Sequence, residues 1–289
     1  MTNRPLHDTP DAEAPLAHDL PPGAHGRIAR RHEPARDGGG FLTSTHREIV
    51  AEETPVALVY NGHSFAVMMA TPADLEDFAL GFSLTEGILE RADECEKIEV
   101  EELARGHEVR LTVTEARALA LRARTRALAG RTGCGLCGVD SIAEALRPVE
   151  RPESHAAFDA ATIVAAVAAF PDFQVLNHAT GATHAAAFVD SMGRIVALRE
   201  DVGRHNALDK LIGALFRDHL PMGRGFVVVS SRCSYEMVHK TAAAGIPAIV
   251  SVSAPTGLAV DLAVRLGVGL AAFARDGRFT VYAGDKRFE

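Results

Sequence analysis

Two cysteines separated by two residues stand in a loop that is rich in glycine. The stretch 131–139 reads RTGCGLCGV, with Cys134 and Cys137 near its centre, and the whole chain has only four cysteines. In a reducing compartment, a close cysteine pair is expected to bind a metal or to react rather than to form a structural disulfide. The chemistry of this loop is therefore the first question that the sequence raises.

Three kinds of site fit such a pair. A structural zinc site needs four ligands, but the chain has no second C-x-x-C, and the spaced histidines His178 and His184 lie well downstream. A dithiol redox pair would begin a helix after a strand, whereas this pair follows a predicted helix. The loop fits a mobile carrier better, because glycine frees the backbone and because Arg131 and a predicted helix from Ser141 would favour the nucleophilic thiolate. We therefore expect a thiol that picks up a group at one site and delivers it at another, and no structural metal.

Three further segments have the residue types of an anion-binding edge: 199–206 (REDVGRHN), 230–236 (SSRCSYE) and 251–257 (SVSAPTG). Each leads from a predicted strand into a predicted helix, where free backbone N–H groups and the helix dipole favour anions. The candidate binding residues around them are Arg204, His205, Lys210, Arg232, Ser253 and Thr256. The alternative is that Asp201, Ser234 and Thr256 merely cap helices. No phosphate loop of the G-x-x-x-x-G-K-[ST] type occurs, so a nucleotide would be held in another way.

The overall composition limits the classes of protein to which the chain could belong. Its formal charge of −8 argues against general nucleic-acid binding. No apolar run reaches the roughly 18 residues that a membrane-spanning helix requires. Residues 1–25 are polar and dotted with proline, lack the pattern of a signal peptide, and are expected to form a disordered tail. We expect a cytoplasmic protein that binds neither nucleic acid nor membrane.

Periodicity and turn residues predict the elements that hold the cysteine loop. Val56–Tyr60 and Phe65–Met69 flank Asn61-Gly62, which is a strong hairpin signal. The next predicted elements are a helix within 71–89 capped by Thr71 or Asp74, strands over 97–103 and 108–114, a helix over 115–130, the cysteine loop, and a short helix over 141–146. These elements predict an α+β domain over 26–150 that ends in the cysteine loop.

The second half of the chain alternates short apolar strands with helices. Helices are predicted over 160–170, 204–217, 235–244 and 256–267, and strands over 184–189, 194–198, 225–231, 246–253, 270–275 and 279–283. This alternation predicts a three-layer αβα domain over 155–289, with helices on both faces of the sheet, and an α/β fold class for the chain. In such a sheet, ligands bind beyond the carboxyl ends of the strands, where the three polar segments are expected to lie.

Several longer motifs together resemble those of a known family. They are TGCGLCG (132–138), HATGATHAAAF (178–188), REDVGRHNALDKLIG (199–213), SSRCSYEMVHKTAAAGIPAIVSVSAPTGLAVDLA (230–263) and FARDGRFTVYA (273–283). With these motifs the chain resembles the FdhD family of formate dehydrogenase accessory sulfurtransferases over nearly its whole length after the N-terminal tail.

The resemblance implies a sulfur carrier that acts as a sulfurtransferase. Family members that this chain resembles take sulfur from a cysteine desulfurase as a persulfide. They pass it to the molybdenum cofactor, bis-molybdopterin guanine dinucleotide, before insertion into the catalytic subunit of formate dehydrogenase. Carried over by position, Cys134 and Cys137 become the sulfur-handling pair, and we expect the persulfide on Cys134 with Cys137 assisting.

The resemblance also implies a site for the guanine nucleotide ends of that cofactor, of which GDP would be a mimic. The residues carried over to this site are Phe273, Ala274, Arg275, Asp276, Gly277 and Arg278. Read from the residues alone, this stretch is an ordinary β-turn with Asp276-Gly277 at its corner. A homodimer is expected as well.

The second domain is implied to be similar to cytidine deaminases, which hold zinc through H-x-E and P-C-x-x-C. At the matching positions this chain has His205-Asn206-Ala207 and Cys233-Ser-Tyr-Glu236, without the catalytic glutamate or the second cysteine. We therefore expect no deaminase activity. The turn at 180–183 (TGAT) lacks a glycine that the family pattern would place there, so its role stays open. A chaperone that binds the cofactor without transferring sulfur remains the alternative function.

Overall fold

The computed structural model describes residues 20–35, 39–129 and 148–289. The cysteine loop, the predicted helix over 141–146 and residues 1–19 of the predicted tail lie outside these ranges. The described chain begins with an antiparallel ribbon of β1 (Ala24–Pro34) and β2 (Phe41–Ala51). In the described ranges this ribbon pairs with neither of the other sheets. Among the described helices, none is long and apolar enough to cross a membrane.

A four-stranded sheet follows in the order β4-β3-β6-β5. Its strands are β3 (Thr54–Tyr60), β4 (His63–Ala70), β5 (Cys95–Leu103) and β6 (Gly106–Val113). The predicted hairpin is confirmed, since Asn61 (φ 45°) and Gly62 (φ 79°) are both left-handed, as a two-residue type I′ turn requires. The Asn61 side chain also exchanges two hydrogen bonds with the backbone of Val113, which ties the turn to β6.

Two helices, α1 (Leu75–Thr85) and α2 (Glu115–Ala129), pack on this sheet. Phe78 of α1 and Leu121 of α2 join Val56, Leu58 and Leu111 of the strands in one apolar core. Each such side chain stabilises the fold by roughly 1.5–3 kcal/mol when fully buried. Both helices occupy segments that the sequence predicts to be helical.

The predicted capping of α1 is wrong. Asp74 lies at the N-cap position, but its backbone is left-handed (φ 54°) and its side chain makes no capping hydrogen bond. Asp74 instead lies 3.6 Å from Arg199. The hydroxyl of Thr71 accepts a hydrogen bond from the backbone N–H of Val202 at 3.2 Å. Both side chains therefore bind the second half of the chain rather than their own helix.

The second half contains a six-stranded sheet in the order β12-β11-β10-β9-β7-β8. Its strands are β7 (His184–Val189), β8 (Ile195–Asp201), β9 (Phe226–Val229), β10 (Ala248–Ser251), β11 (Gly269–Arg275) and β12 (Arg278–Ala283). β9, β10 and β11 are parallel, and β7 is antiparallel to both β8 and β9. The carboxyl ends of β8, β9, β10 and β11 therefore meet at one edge of the sheet.

Helices cover both faces of this sheet, so the predicted three-layer αβα arrangement and the α/β fold class are confirmed. The helices are α3 (Ala160–Ala169), α4 (Val175–Thr180), α5 (Arg204–Arg217), α6 (Tyr235–Ala243) and α7 (Gly257–Leu266). Ile163 of α3 packs on one face with Phe226, whereas Leu211, Val238 and Leu262 of the other three long helices pack on the opposite face. The short helix α4, which contacts β1 and β2, was not predicted, because six residues are too few to show a helical period.

α1 and α5 bring the two halves of the chain together at a pair of glycines. A Cβ atom on Gly81 would overlap the carbonyl oxygen of Asp209, and one on Gly213 would overlap the carbonyl oxygen of Asp77. The two helix backbones are therefore in direct contact, which only glycine permits at these positions.

Buried charges join the halves around this crossing. Lys240 Nζ lies 2.9 Å from Asp209 Oδ2 and also donates to the hydroxyl of Thr85 at 2.9 Å. Lys210 Nζ lies 2.7 Å from Asp201 Oδ2 and donates to the backbone oxygen of Thr71. The two halves thus share polar contacts as well as a helix crossing. The division of the chain into domains over 26–150 and 155–289 stays a prediction.

Candidate functional site

The carboxyl edge of the six-stranded sheet gathers the polar segments that the sequence singles out. The segments after β8, β9 and β10 lead into α5, α6 and α7, and the segment after β11 turns back into β12. Because those four strands run in the same direction, all four connections lie at one edge of the sheet. His184, at the start of the antiparallel strand β7, joins them there and pairs in register with Asp201.

Hydrogen bonds hold two of these connections in fixed positions. The backbone N–H of Cys233 donates to Ala254 at 3.1 Å, and the N–H of Thr256 donates to the backbone oxygen of Cys233 at 3.0 Å. Ser251 Oγ donates to the backbone oxygen of Ser231 at 2.7 Å. The segments before α6 and α7 therefore form one rigid unit at the edge of the sheet.

The turn between β11 and β12 has an unusual backbone that aims its side chains. Asp276 (φ 54°) and Gly277 (φ 73°) are both left-handed, so the turn at the predicted corner is confirmed. Phe273 is left-handed too (φ 52°), and its N–H donates to Ser253 at 3.0 Å where the strand pairing shifts register. This bulge bends the end of β11 toward the β10 connection.

A cavity of about 400 Å³ opens beside this turn. The polar or turn residues that line it are Gln174, Asn177, Ser230, Arg275, Asp276, Gly277 and Arg278, and its apolar lining includes Val164, Val167, Phe170, Val252, Ala274 and Phe279. The volume falls in the roughly 300–1,000 Å³ range of small-molecule sites. Phe273 is exposed and is not part of this lining.

The lining contains groups that can bind an anion and an aromatic ring. Within the described ranges, neither Arg275 nor Arg278 has a carboxylate partner at ion-pair distance, so both guanidinium groups are open to an anion. Arginine forms paired hydrogen bonds with phosphate oxygens. Asp276 lies between them in the chain and is exposed, and its carboxylate can accept two N–H groups from the edge of a base. Phe279, which is half-buried, supplies apolar surface for the ring, whereas Phe170 is buried behind the lining.

A second polar group lies at the start of α5. His205 Nε2 lies 2.7 Å from Glu236 Oε2, and this hydrogen bond lowers the pKa of Glu236. Burial lowers the pKa of His184, and the charges of Arg204 and His205 lower it further. Arg204 and His205 are therefore at the predicted edge but do not line the 400 Å³ cavity.

Two predicted binding residues have other partners. Lys210 is fully buried, where burial lowers its pKa, and its ion pair with Asp201 leaves it no route to a ligand in the cavity. Thr256 caps α7, since its hydroxyl accepts the N–H of Ala259. For Thr256 the helix-cap alternative is therefore the one that the structure contains. Ser234, by contrast, makes no capping hydrogen bond at the start of α6.

The two remaining predicted binding residues are Arg232 and Ser253. Arg232 is exposed on the β9–α6 segment, and Ser253 is half-buried, with its backbone oxygen accepting from Phe273. Neither side chain lines the cavity. The edge of the sheet thus carries a row of polar groups. Of the predicted binding residues, only those at 274–278, in and beside the β11–β12 turn, line the cavity.

Neither of the two cysteines within the described ranges, Cys95 and Cys233, has the environment of a reactive thiol. Cys233 is fully buried, and burial raises its pKa to about 12. Burial also raises the pKa of Cys95, whose sulfur donates to the backbone oxygen of Lys97. Thiolate is the nucleophile, so neither residue is suited to carry a group. Cys134 and Cys137 lie outside the described residues, and their roles stay predictions.

Nothing in the described ranges forms a metal centre: no three histidine, cysteine, aspartate or glutamate side chains lie close enough together to hold a metal ion. His205 lies in the first turn of α5 and Cys233 in the segment between β9 and α6, the two positions that the sequence matches to zinc ligands of deaminases, but Cys233 is buried and His205 lies 2.7 Å from Glu236. The described part of the edge therefore lacks the ligand set of a zinc deaminase.

Sequence reasoning missed the part of the cavity that comes from the opposite helical layer. Phe170 and Gln174 lie in the segment between α3 and α4, and Asn177 lies in α4. The backbone N–H groups of two successive residues of α4, Leu176 and Asn177, donate to the Glu200 carboxylate at 2.7 and 2.8 Å. Glu200 of β8 thus accepts the hydrogen bonds that an N-cap side chain of α4 would otherwise accept. The start of α4 therefore has no capping signal in its own sequence.

The turn at 180–183, whose role the sequence leaves open, ends α4. Gly181 takes the left-handed conformation (φ 64°) after the last helical residue, and Thr183 donates to Glu200 at 3.1 Å. The turn therefore places the start of β7 against β8.

Comparison with known proteins agrees with the fold. A model of the FdhD/NarQ family matches residues 51–289. The chain is 50% identical over 250 residues to a sulfur carrier protein FdhD from Bordetella petrii, which covers 86% of this chain and 90% of that protein. It is 46% identical over 276 residues to a sulfur carrier protein FdhD from Xanthomonas euvesicatoria, covering 96% of each.

A solved structure has the same fold. The crystal structure of a protein described as a formate dehydrogenase accessory protein, from Desulfotalea psychrophila, superposes with a TM-score of 0.73 at 25% sequence identity. It covers 93% of this chain and the whole of that one. With a family model matched over most of its length and relatives this similar, the chain belongs to the FdhD/NarQ family.

Proposed function

We propose that this protein is a sulfurtransferase of the cytoplasm that carries sulfur to the molybdenum cofactor of a formate dehydrogenase. It accepts sulfur from a cysteine desulfurase as a persulfide and transfers it to bis-molybdopterin guanine dinucleotide before the enzyme's catalytic subunit receives that cofactor. Relatives named as sulfur carrier proteins and a structural neighbour described as a formate dehydrogenase accessory protein support this proposal. The observation that carries it is the arginine-flanked cavity in a chain that also contains Cys134-x-x-Cys137.

The cavity would hold one nucleotide end of the cofactor, which is cargo in this reaction. Arg275 and Arg278 would bind phosphate oxygens, and the Asp276 carboxylate would accept the two adjacent N–H groups that distinguish guanine from adenine. Phe279 would contact the base on the apolar side. GDP contains the base and a diphosphate, so it is the simplest probe of this site.

The sulfur is loaded without any outside oxidant or reductant. The thiolate of Cys134 attacks the terminal sulfur of the desulfurase persulfide, a new S–S bond forms on Cys134, and the desulfurase cysteine leaves as a thiolate. Cys137, three residues along, is the assisting thiol. The buried Cys95 and Cys233 take no part, because their thiol pKa values are raised.

Loading can be tested by incubating the full chain with a cysteine desulfurase and cysteine and then mapping the added sulfur by peptide mass spectrometry. We expect the persulfide on the peptide that contains Cys134. It should persist in Cys137→Ala and vanish in Cys134→Ala, while Cys95 and Cys233 serve as unmodified controls within the same chain. A persulfide that forms in Cys134→Ala and vanishes in Cys137→Ala would reverse the assignment.

A complementation experiment distinguishes the alternative, a chaperone that binds the cofactor and transfers no sulfur. Under the sulfur-transfer proposal, the Cys134→Ala, Cys137→Ala double variant still binds GDP but fails to restore formate dehydrogenase activity in cells that lack their own accessory protein. Full restoration by that variant would favour the chaperone.

A further inference from the structure

The outer part of the β1–β2 ribbon is exposed on both faces. Residues 24–26 and 49–51 are half-buried, and the short helix α4 contacts both strands. Beyond them, at 27–34 and 41–47, every residue is exposed except the facing pair Ala29 and His46. A two-stranded ribbon is only marginally stable by itself in water. The outer part of this ribbon therefore offers a long surface to a partner.

The first strand of the ribbon is a basic strand on an acidic protein. β1 contains five basic residues and one acidic residue: His25, Arg27, Arg30, Arg31, His32 and Glu33. Within the described ranges, only one of its arginines has a carboxylate at ion-pair distance, since Arg31 lies 2.7 Å from Glu48 of β2. The whole chain has a formal charge of −8. The positive charge of β1 is therefore local and largely unneutralised.

Both faces of β1 are basic at its outer edge. Successive side chains of a strand point to opposite faces, so Arg27 and Arg31 lie on one face and Arg30 and His32 on the other. Ile28, on the face of Arg30, is 74% exposed. β2 pairs with one edge of β1, and among the described residues no strand pairs with the other edge. That free edge exposes backbone N–H and C=O groups between two rows of basic side chains.

We propose that the free edge of β1 binds an acidic, extended segment of a partner protein, which adds to the ribbon as a third strand. Backbone hydrogen bonds hold the added strand, and carboxylates opposite Arg27, Arg30 and Arg31 select it. For an antiparallel strand, the matching sequence is two adjacent acidic residues, any residue, an apolar residue opposite Ile28, and a third acidic residue. No residue of the ribbon lines the nucleotide cavity, so this proposal is independent of sulfur transfer.

Other macromolecules fit this edge less well. Nucleic acid cannot continue a ladder of backbone hydrogen bonds, and its phosphates are repelled by a chain with a formal charge of −8. A second β1 strand would place like charges opposite each other, which is unfavourable. An acidic polypeptide strand satisfies both the backbone groups and the charges.

The N-terminal tail of the chain is acidic but is out of register with the arginines of β1. Residues 21–24 form a hydrogen-bonded β-turn with a left-handed Gly23 (φ 81°). A tail that ran back along β1 from this turn would place His18, Pro15 and Ala14 opposite the three arginines. None of these residues carries a negative charge, and proline lacks the backbone donor that strand pairing needs. The segment that fits β1 therefore comes from another protein.

The test is the fluorescence anisotropy of a labelled peptide with the acidic pattern described above, titrated with the full chain. A matched peptide with glutamine in place of each acidic residue should bind at least about tenfold more weakly. The acidic peptide should lose affinity to the same extent for the Arg27→Glu, Arg30→Glu variant. Arg105→Glu, Arg265→Glu is the matched control, because it changes the net charge equally at exposed arginines outside the ribbon and should bind as the natural chain does. Circular dichroism checks that both variants remain folded.

Hydrogen exchange followed by mass spectrometry locates the bound peptide. Binding should slow the exchange of amides in β1 and leave those of β5, another edge strand, unchanged. Equal affinities for the two peptides, equal losses in the two variants, or slowed exchange only outside β1 would overturn the proposal. Affinity that develops only after residues 1–19 are removed would overturn it too, by identifying the tail as the occupant. Tighter binding of a single-stranded RNA, lost in the Arg27→Glu, Arg30→Glu variant, would instead identify nucleic acid.

Discussion

At the scale of single residues, the β11–β12 turn concentrates the main polar groups of the proposed nucleotide site in four positions. Arg275 and Arg278 are paired in register at the ends of the two strands, so their side chains leave the sheet close together. The two residues between them are left-handed, which turns the Asp276 carboxylate outward. The neighbouring side chains of Arg275, Asp276 and Arg278 can thus bind a diphosphate and the edge of a guanine in the proposed site.

The cavity makes a quantitative prediction for GDP binding. Loss of one charge-assisted contact to phosphate removes about 1.5–3 kcal/mol, so Arg278→Ala should weaken GDP binding by roughly 10- to 150-fold. Titration calorimetry measures this, and the affinity of the natural chain should fall as salt is raised, because phosphate contacts are screened. Arg265→Ala, which removes an exposed arginine from α7, is the control and should bind as the natural chain does. Equal affinities for the two variants would count against this cavity.

Sequence reasoning found some of these residues and not others, for physical reasons. The strand-end segments could be located because apolar strands and periodic helices reveal where loops must gather. The sequence predicts Lys210 as a binding residue because a lysine near a helix start has the charge of an anion ligand. Its burial depends on Asp201 and Thr71, which are distant in sequence. Gln174 and Asn177 escaped notice because amide side chains in a short helix carry no pattern.

At the scale of elements, α5 is the helix on which both halves of the chain depend. Its bounds, Arg204–Arg217, agree with the prediction because its apolar residues repeat at helical spacing. Its partner could not be predicted, since the meeting of Gly213 with Asp77 of α1 joins residues far apart in the chain. A glycine in a predicted helix reads locally as a weak position, whereas here it allows two backbones to touch.

The crossing predicts a large effect for a single methyl group. Gly213→Ala should destabilise the protein by about 3 kcal/mol or more, because the new Cβ would overlap the backbone of Asp77 and the two helices must separate. The measurement is urea unfolding followed by far-ultraviolet circular dichroism. Gly257→Ala at the first turn of α7 is the control: no atom lies near its Cβ position, so it should be neutral or slightly stabilising, by up to about 1 kcal/mol. Equal stability of the two variants would show that the helices do not cross at Gly213.

At the scale of the whole molecule, buried charges make one unit of two sheets. Lys240 of α6 reaches Asp209 of α5 as well as Thr85 and Glu86 of the first half. Burial alone would lower the pKa of Lys240, but the carboxylates of Asp209 and Glu86 outweigh it and raise the pKa, so the lysine is held charged. A buried charge with its partners in both halves penalises any state in which one half opens alone.

This arrangement predicts that both sheets lose stability together when the pair is broken. Asp209→Asn leaves the buried ammonium of Lys240 without its nearest charge and should destabilise the fold by about 3–5 kcal/mol. Hydrogen exchange followed by mass spectrometry should report equal losses of opening free energy for amides of β6 and β9, which lie in different sheets. Glu48→Gln, which breaks the exposed pair with Arg31, is the control and should change both by less than about 1 kcal/mol. Protection that falls in β6 while that of β9 is unchanged would show instead that the two halves open independently.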